Sequence, residues 1–243
     1  MNTKAGAREV PETVETLDSV YLHDALEAFL QAGDPAYLYA GVEESEDPVR
    51  QAYATAQVKS RRIKACRDCV LYAAFAAEAF INSFIAATLP ARDRERIDRN
   101  RTVDKYVLGP RLAVTDDLSE LEQREELAVL ERLFTLRNKL VHPKPRQLAE
   151  IERVGAARWR YDEYKPSKAA EFVATVGMEA YTLSQLHDAV PLSSTAYLVV
   201  LSKERIIDFG RRSDTAPEHG AARVLTMEML GDALAERFGL DRA

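Results

Sequence analysis

Four histidines occur among the 243 residues, and only His142 has an arginine five positions earlier. It belongs to the run Leu136-Arg137-Asn138-Lys139-Leu140-Val141-His142-Pro143. On a helix, Asn138 and His142 stand one turn apart on a shared face and Arg137 on the neighbouring face, so the three can border one cleft. Histidine is the side chain that exchanges protons near neutral pH, and the negative end of a helix macrodipole favours its protonated form. Cleavage of RNA without a metal needs a base for the 2′-hydroxyl, an acid for the departing 5′-oxygen and a cation on the crowded phosphate. His142 fits the proton work, Arg137 the phosphate, and Asn138 the orientation of either. One histidine serves both proton transfers poorly, whereas two copies meeting across a twofold axis would bring two. The plainer reading pairs Arg137 with an acidic neighbour such as Glu131 or Glu78, makes His142 a helix cap and leaves Asn138 solvated.

A second polar pair, Glu78 and Asn82, stands four residues apart in an apolar stretch. Polar groups one turn apart on a buried helix bond to each other or to a neighbouring helix. A part in holding Arg137 in place suits them. Cys66-Arg67-Asp68-Cys69 has the gap of a zinc or redox pair, but no second pair or clustered histidine completes four ligands. Both thiols therefore read as core residues. No Gly-rich phosphate loop, His-Glu-x-x-His or Gly-x-Ser-x-Gly is present, which leaves NTPase, zinc-protease and serine-hydrolase readings without support. No metal and no cofactor is expected.

Helices must position these residues. Charged residues make up 30% of the chain while Gly and Pro number ten each, a balance that suits long helices and an all-α fold. Apolar residues over 14–32 follow a three-four spacing, and Gly33-Asp34-Pro35 stops that helix. Pro48 opens a second helix with no breaker before Leu89, polar at its start and apolar over 70–89, and Pro90 ends it. An Arg-rich helix over 91–101 follows, and Gly109-Pro110 marks a loop. Thr115, Asp116 and Asp117 signal the start of an amphipathic helix over 118–141 that Pro143 and Pro145 end. Residues 148–154 read as a short turn of helix, and the segment around Trp159, Tyr161 and Tyr164 fits a loop and a small hairpin equally well. Further helices are expected over 167–189, 195–209 and 221–238.

The net charge of −6 argues against coating nucleic acid by bulk electrostatics, since such affinity scales with the phosphates neutralised. Two basic runs, Lys59 to Arg67 and Arg92 to Arg111, read as solvated helix faces with acidic partners such as Asp93, Glu95 and Asp98. Glu78, Asn82 and Ser83 interrupt the apolar stretch over 70–89, so it reads as a core helix, with no membrane as partner. Two cysteines and a polar N-terminal segment point to the cytoplasm.

Arg137-Asn138-Lys139-Leu140-Val141-His142, at the end of an amphipathic helix, resembles the Arg-polar-x3-His signature of HEPN domains. Glu78-Ala79-Phe80-Ile81-Asn82 is similar to the Glu-x3-Asn pattern of the partner helix in that family. The resemblance implies an antiparallel helical bundle that dimerises, and in many members a metal-independent endoribonuclease of toxin, phage-defence or RNA-processing systems. Other members are inactive. On this basis the chain divides into an N-terminal helix and acidic loop (1–47), a HEPN-like core (48–146) and a C-terminal helical extension packed on it (147–243). Arg137, Asn138 and His142 are the catalytic candidates, Glu78 and Asn82 their support, and Lys139, Lys144 and Arg146 the RNA contacts. Lys144 stands where some HEPN toxins carry a tyrosine, a departure that puts control by nucleotidyl transfer in doubt. The implied partners are RNA, a second copy of the chain, and an antitoxin or defence-system protein. The other reading is a non-catalytic helical module that dimerises or binds a protein or nucleotide.

Overall fold

Two aspartates in the turns between residues 32 and 47 act by capping helices. α1 (Leu17–Gln31) closes with the Gly33 and Asp34 N–H groups donating to the Leu30 and Gln31 carbonyls. Asp34 then accepts the Ala36 N–H at 2.9 Å and starts the one-turn α2 (Pro35–Leu38). Asp47 repeats the device for α3 (Pro48–Thr88), accepting the Val49 N–H at 3.0 Å, with proline at the first helical position where no N–H is needed. α3 spans 41 residues, about 61 Å at the rise of an α-helix. It ends where Leu89 and Pro90 turn extended.

The computed structural model describes residues 16–43, 45–114, 124–142, 163–215 and 225–238. After α3 come α4 (Ala91–Ile97), α5 (Thr102–Ala113), α6 (Glu125–Val141), α7 (Pro166–Leu186), α8 (Ser194–Thr215) and α9 (Met227–Phe238). Among the described residues every regular element is a helix, so the class is all-α. The start signal at Thr115, Asp116 and Asp117, the turn over 148–154 and the segment around Trp159 and Tyr161 lie outside the described residues.

Gly109 and Pro110 correct one expectation. They lie inside α5 rather than in a loop, both buried. A Cβ at Gly109 would stand 3.3 Å from the Ile85 side chain, so glycine serves here for close approach of α5 to α3. Pro110 sits within a turn of the helix end, and its carbonyl accepts the Val114 N–H at 3.0 Å. Packing against α3 outweighs the breaker signal.

α3 is the central element, in contact with α1, α5, α6 and α7. Its face of Ala73, Ala77, Phe80, Ile81 and Phe84 is buried. By length and composition alone α3 could cross a membrane, but this apolar face is taken up by the neighbouring helices. α7 and α8 form an antiparallel hairpin in which side chains at Gly177 and Gly210 would collide, the first with Val199 and the second with the Pro166 carbonyl at 2.9 Å. Asp214 of α8 ties the start of α7, accepting the Ser167 N–H at 3.0 Å and the Ser167 hydroxyl. α1 lies against both halves: Tyr21 meets the Phe75 ring at 5.7 Å, and Phe29 meets Phe209 edge-on at 5.5 Å. One hydrophobic cluster therefore runs through α1, α3, α7 and α8.

Candidate functional site

α6 presents its apolar side, Val129, Leu130, Leu133 and Leu136, to α3 and α7, and this fixes the next residue, Arg137, against α3. The Arg137 guanidinium lies over the Phe75 ring, 5.8 Å from its centroid. One of its terminal nitrogens donates to Asn138 Oδ1 at 3.1 Å, and the other stands 3.6 Å from Glu78 Oε2. Arg137 Nε is buried with no hydrogen-bond partner among the described residues. The guanidinium is thus oriented by ring, amide and carboxylate together, with donor capacity to spare.

His142 is the C-cap of α6. Its backbone leaves the helical region, and its N–H donates to the Asn138 carbonyl at 2.9 Å. The residue is exposed, as are Asn138 and Val141. The tip of α6 therefore offers an amide, an imidazole and one edge of a guanidinium to solvent. A proton can be exchanged there, and an anion can reach the arginine without passing through the core.

The other candidates divide. Glu78 is brought to Arg137, while Asn82, one turn further along α3, accepts from Lys105 Nζ of α5 at 3.1 Å. Lys139 is held by Glu163, with Nζ 2.6 Å from its carboxylate. Lys144 and Arg146 lie outside the described residues. Part of each basic run is engaged by nearby acids: Lys64 and Arg67 meet Asp68 at 2.9 and 3.2 Å, Arg96 meets Asp93 at 3.6 Å, and Arg101 meets Asp104 at 2.8 Å, while Arg62 is buried. Arg61 instead caps the α2 region, donating to the Leu38 and Ala40 carbonyls. Cys66 and Cys69 are buried in the core, and burial pushes both thiols well above the usual cysteine range. Protonated, packed thiols are core residues.

Two polar features escaped the sequence reading. Glu179 of α7 stands 2.9 Å from Arg124, the N-cap of α6, off the hydrogen-bond direction. Burial pushes the Glu179 carboxyl up to about 7, against the opposing pull of Arg124. A signal existed, since Glu179 falls on the apolar face of Phe172, Val176, Ala180 and Leu183, where a lone carboxylate demands a partner. Lys105 is the other: it too is buried, at a point where α5 packs on α3. Its place in a basic run disguised it.

No protein-family description, no curated protein and no solved structure matches this chain, so the reading of the site rests on its own residues.

Proposed function

We propose that the chain is a HEPN-like, metal-independent endoribonuclease acting as a cytoplasmic homodimer. The single observation that carries the reading is Arg137, held near the end of α6 by Phe75, Glu78 and Asn138 while His142 stands exposed at the same helix end. In the reaction, one histidine takes the proton of a ribose 2′-hydroxyl, the oxygen attacks phosphorus, and the 5′-oxygen departs with a proton from the second subunit's His142. Arg137 balances charge on the phosphate, which requires it to exchange Glu78 for the substrate. At 3.6 Å and part-exposed, that ion pair is weak enough to exchange. The exposed Val141 beside His142 offers an apolar contact for the twofold partner. An antitoxin or defence-system protein is the partner class that would restrain such an activity.

The test is incubation of the purified chain with single-stranded RNA in EDTA. The expected products carry a 5′-hydroxyl and a 2′,3′-cyclic phosphate, and His142→Ala lowers their yield about 10²-fold or more. Equal cleavage by wild type and His142→Ala would remove the enzyme reading.

A second reading is favoured by one observation, the occupation of Arg137 by Glu78 and of Lys139 by Glu163. Under it the tip of α6 is a structural joint of a non-catalytic module that dimerises or binds a partner. It predicts that Glu78→Ala disturbs association or melting, while His142→Ala changes nothing.

A further inference from the structure

Asn82 leads away from the α6 tip to an open cleft of about 530 Å³ between the end of α3, α4 and α5. Lys105 lines it and is only 7% exposed. Its Nζ donates to the neutral Asn82 oxygen at 3.1 Å and stands 3.8 Å from Asp98, beyond hydrogen-bond reach. An ammonium has three donors, and a buried charge is stable only when paired and hydrogen-bonded. Among the described residues Lys105 is therefore ion-paired with Asp98 but makes its hydrogen bond to a neutral oxygen, which leaves N–H donors for a closer acceptor of opposite charge. With its oxygen engaged by Lys105, Asn82 keeps its amide N–H donors for the same acceptor.

The rest of the lining fixes what kind of molecule carries that acceptor. Arg94 adds a second cation, Glu95 and Asp98 add two carboxylates, and Ile85, Ile97 and Ala86 supply an apolar wall. A plain anion would meet the two carboxylates, and a plain cation would meet Lys105. A molecule with both charges and an apolar body satisfies every wall of the cleft.

We infer that this cleft binds a small zwitterion, an apolar α-amino acid or dipeptide. Its carboxylate is received by Lys105 and Asn82, its ammonium by Asp98 and Glu95, and its side chain by the isoleucines. The inference is independent of any catalysis at the α6 tip.

Calorimetric titration of the full chain tests it, with leucine and Leu-Leu as ligands and with leucinamide and 4-methylpentanoate as partners lacking one charge each. Leucine or Leu-Leu should saturate, with both single-charge analogues about tenfold weaker or worse, the scale of one lost charged hydrogen bond. Lys105→Met should weaken zwitterion binding about tenfold or more. Because Lys105 is buried, Glu95→Gln at an exposed position provides a second variant that leaves the fold intact. It should weaken leucine and leave 4-methylpentanoate unchanged. Equal binding of 4-methylpentanoate and leucine, no saturation by either zwitterion up to about 10 mM, or unchanged binding in folded Lys105→Met would overturn the assignment.

Discussion

The two ends of α6 each carry a guanidinium and carboxylate, and the environments are opposite. At its start, Arg124 and Glu179 are 2.9 Å apart with side chains 11% and 1% exposed. At its end, Arg137 and Glu78 are 3.6 Å apart with side chains 25% and 40% exposed. A buried pair is costly to desolvate and costlier to break, so it fixes where the helix begins. A part-exposed pair is screened by water and contributes little, so its partners can be traded for a ligand. The same chemistry anchors one end of the helix and leaves the other adaptable.

The sharpest way to separate the two ends is to remove each in turn. His142→Ala should lower RNA cleavage about 10²-fold to 10⁴-fold, the usual worth of a general acid or base, while the thermal midpoint stays that of the wild type. Cleavage in EDTA and a melting scan on the same preparation check both halves.

At the buried end, Arg124→Met should cost about 3–5 kcal/mol at pH 8 by stranding the Glu179 carboxylate. Urea unfolding reads this directly. The double change Arg124→Met with Glu179→Leu should recover most of the loss, because no lone charge is left inside.

Proton linkage gives a third, smaller effect with a definite sign. The Glu179 carboxyl is raised from 4.5 to about 7 by burial, so the folded state holds the proton more tightly than the unfolded chain. Its contribution to stability is fully present below 4.5 and is lost as pH rises through about 7. Glu179→Gln should flatten the fall in stability over that window, and the cost of Arg124→Met should be less at pH 5 than at pH 8. A slope identical in wild type and Glu179→Gln would show that another group titrates there.

The smallest effect belongs to Glu78. Glu78→Ala should change stability by less than about 1 kcal/mol, yet alter RNA affinity or turnover by freeing Arg137. Loss of several kcal/mol in urea unfolding would mean that the two ends of α6 are alike, and the contrast between them would collapse.

Much of the fold was legible because its signals are local. The Gly33-Asp34-Pro35 stop closes α1, the breaker-free stretch after Pro48 became one helix, and the apolar spacing before His142 placed that residue at a helix end, whereas the capping by Asp34 and Asp47 was not anticipated. Gly109-Pro110 misled, since proximity of α5 to Ile85 is not written in the residues next to it. Within the site, the link from Glu78 to Arg137 was among the anticipated pairings. The divergence of Asn82 toward Lys105 was not, because it depends on where α5 crosses α3.

The sequence by itself determined the helical class, both limits of α3, the end of α6 and the grouping of Arg137, Asn138 and His142 within two turns of one helix. Periodicity and capping act over a few residues and need no partner. Only the tertiary structure decided which charges are buried, which arginine is anchored and which lies part-exposed, and that Lys105 faces a cleft. Those outcomes follow from desolvation, which depends on what packs above each side chain rather than on what precedes it in the chain.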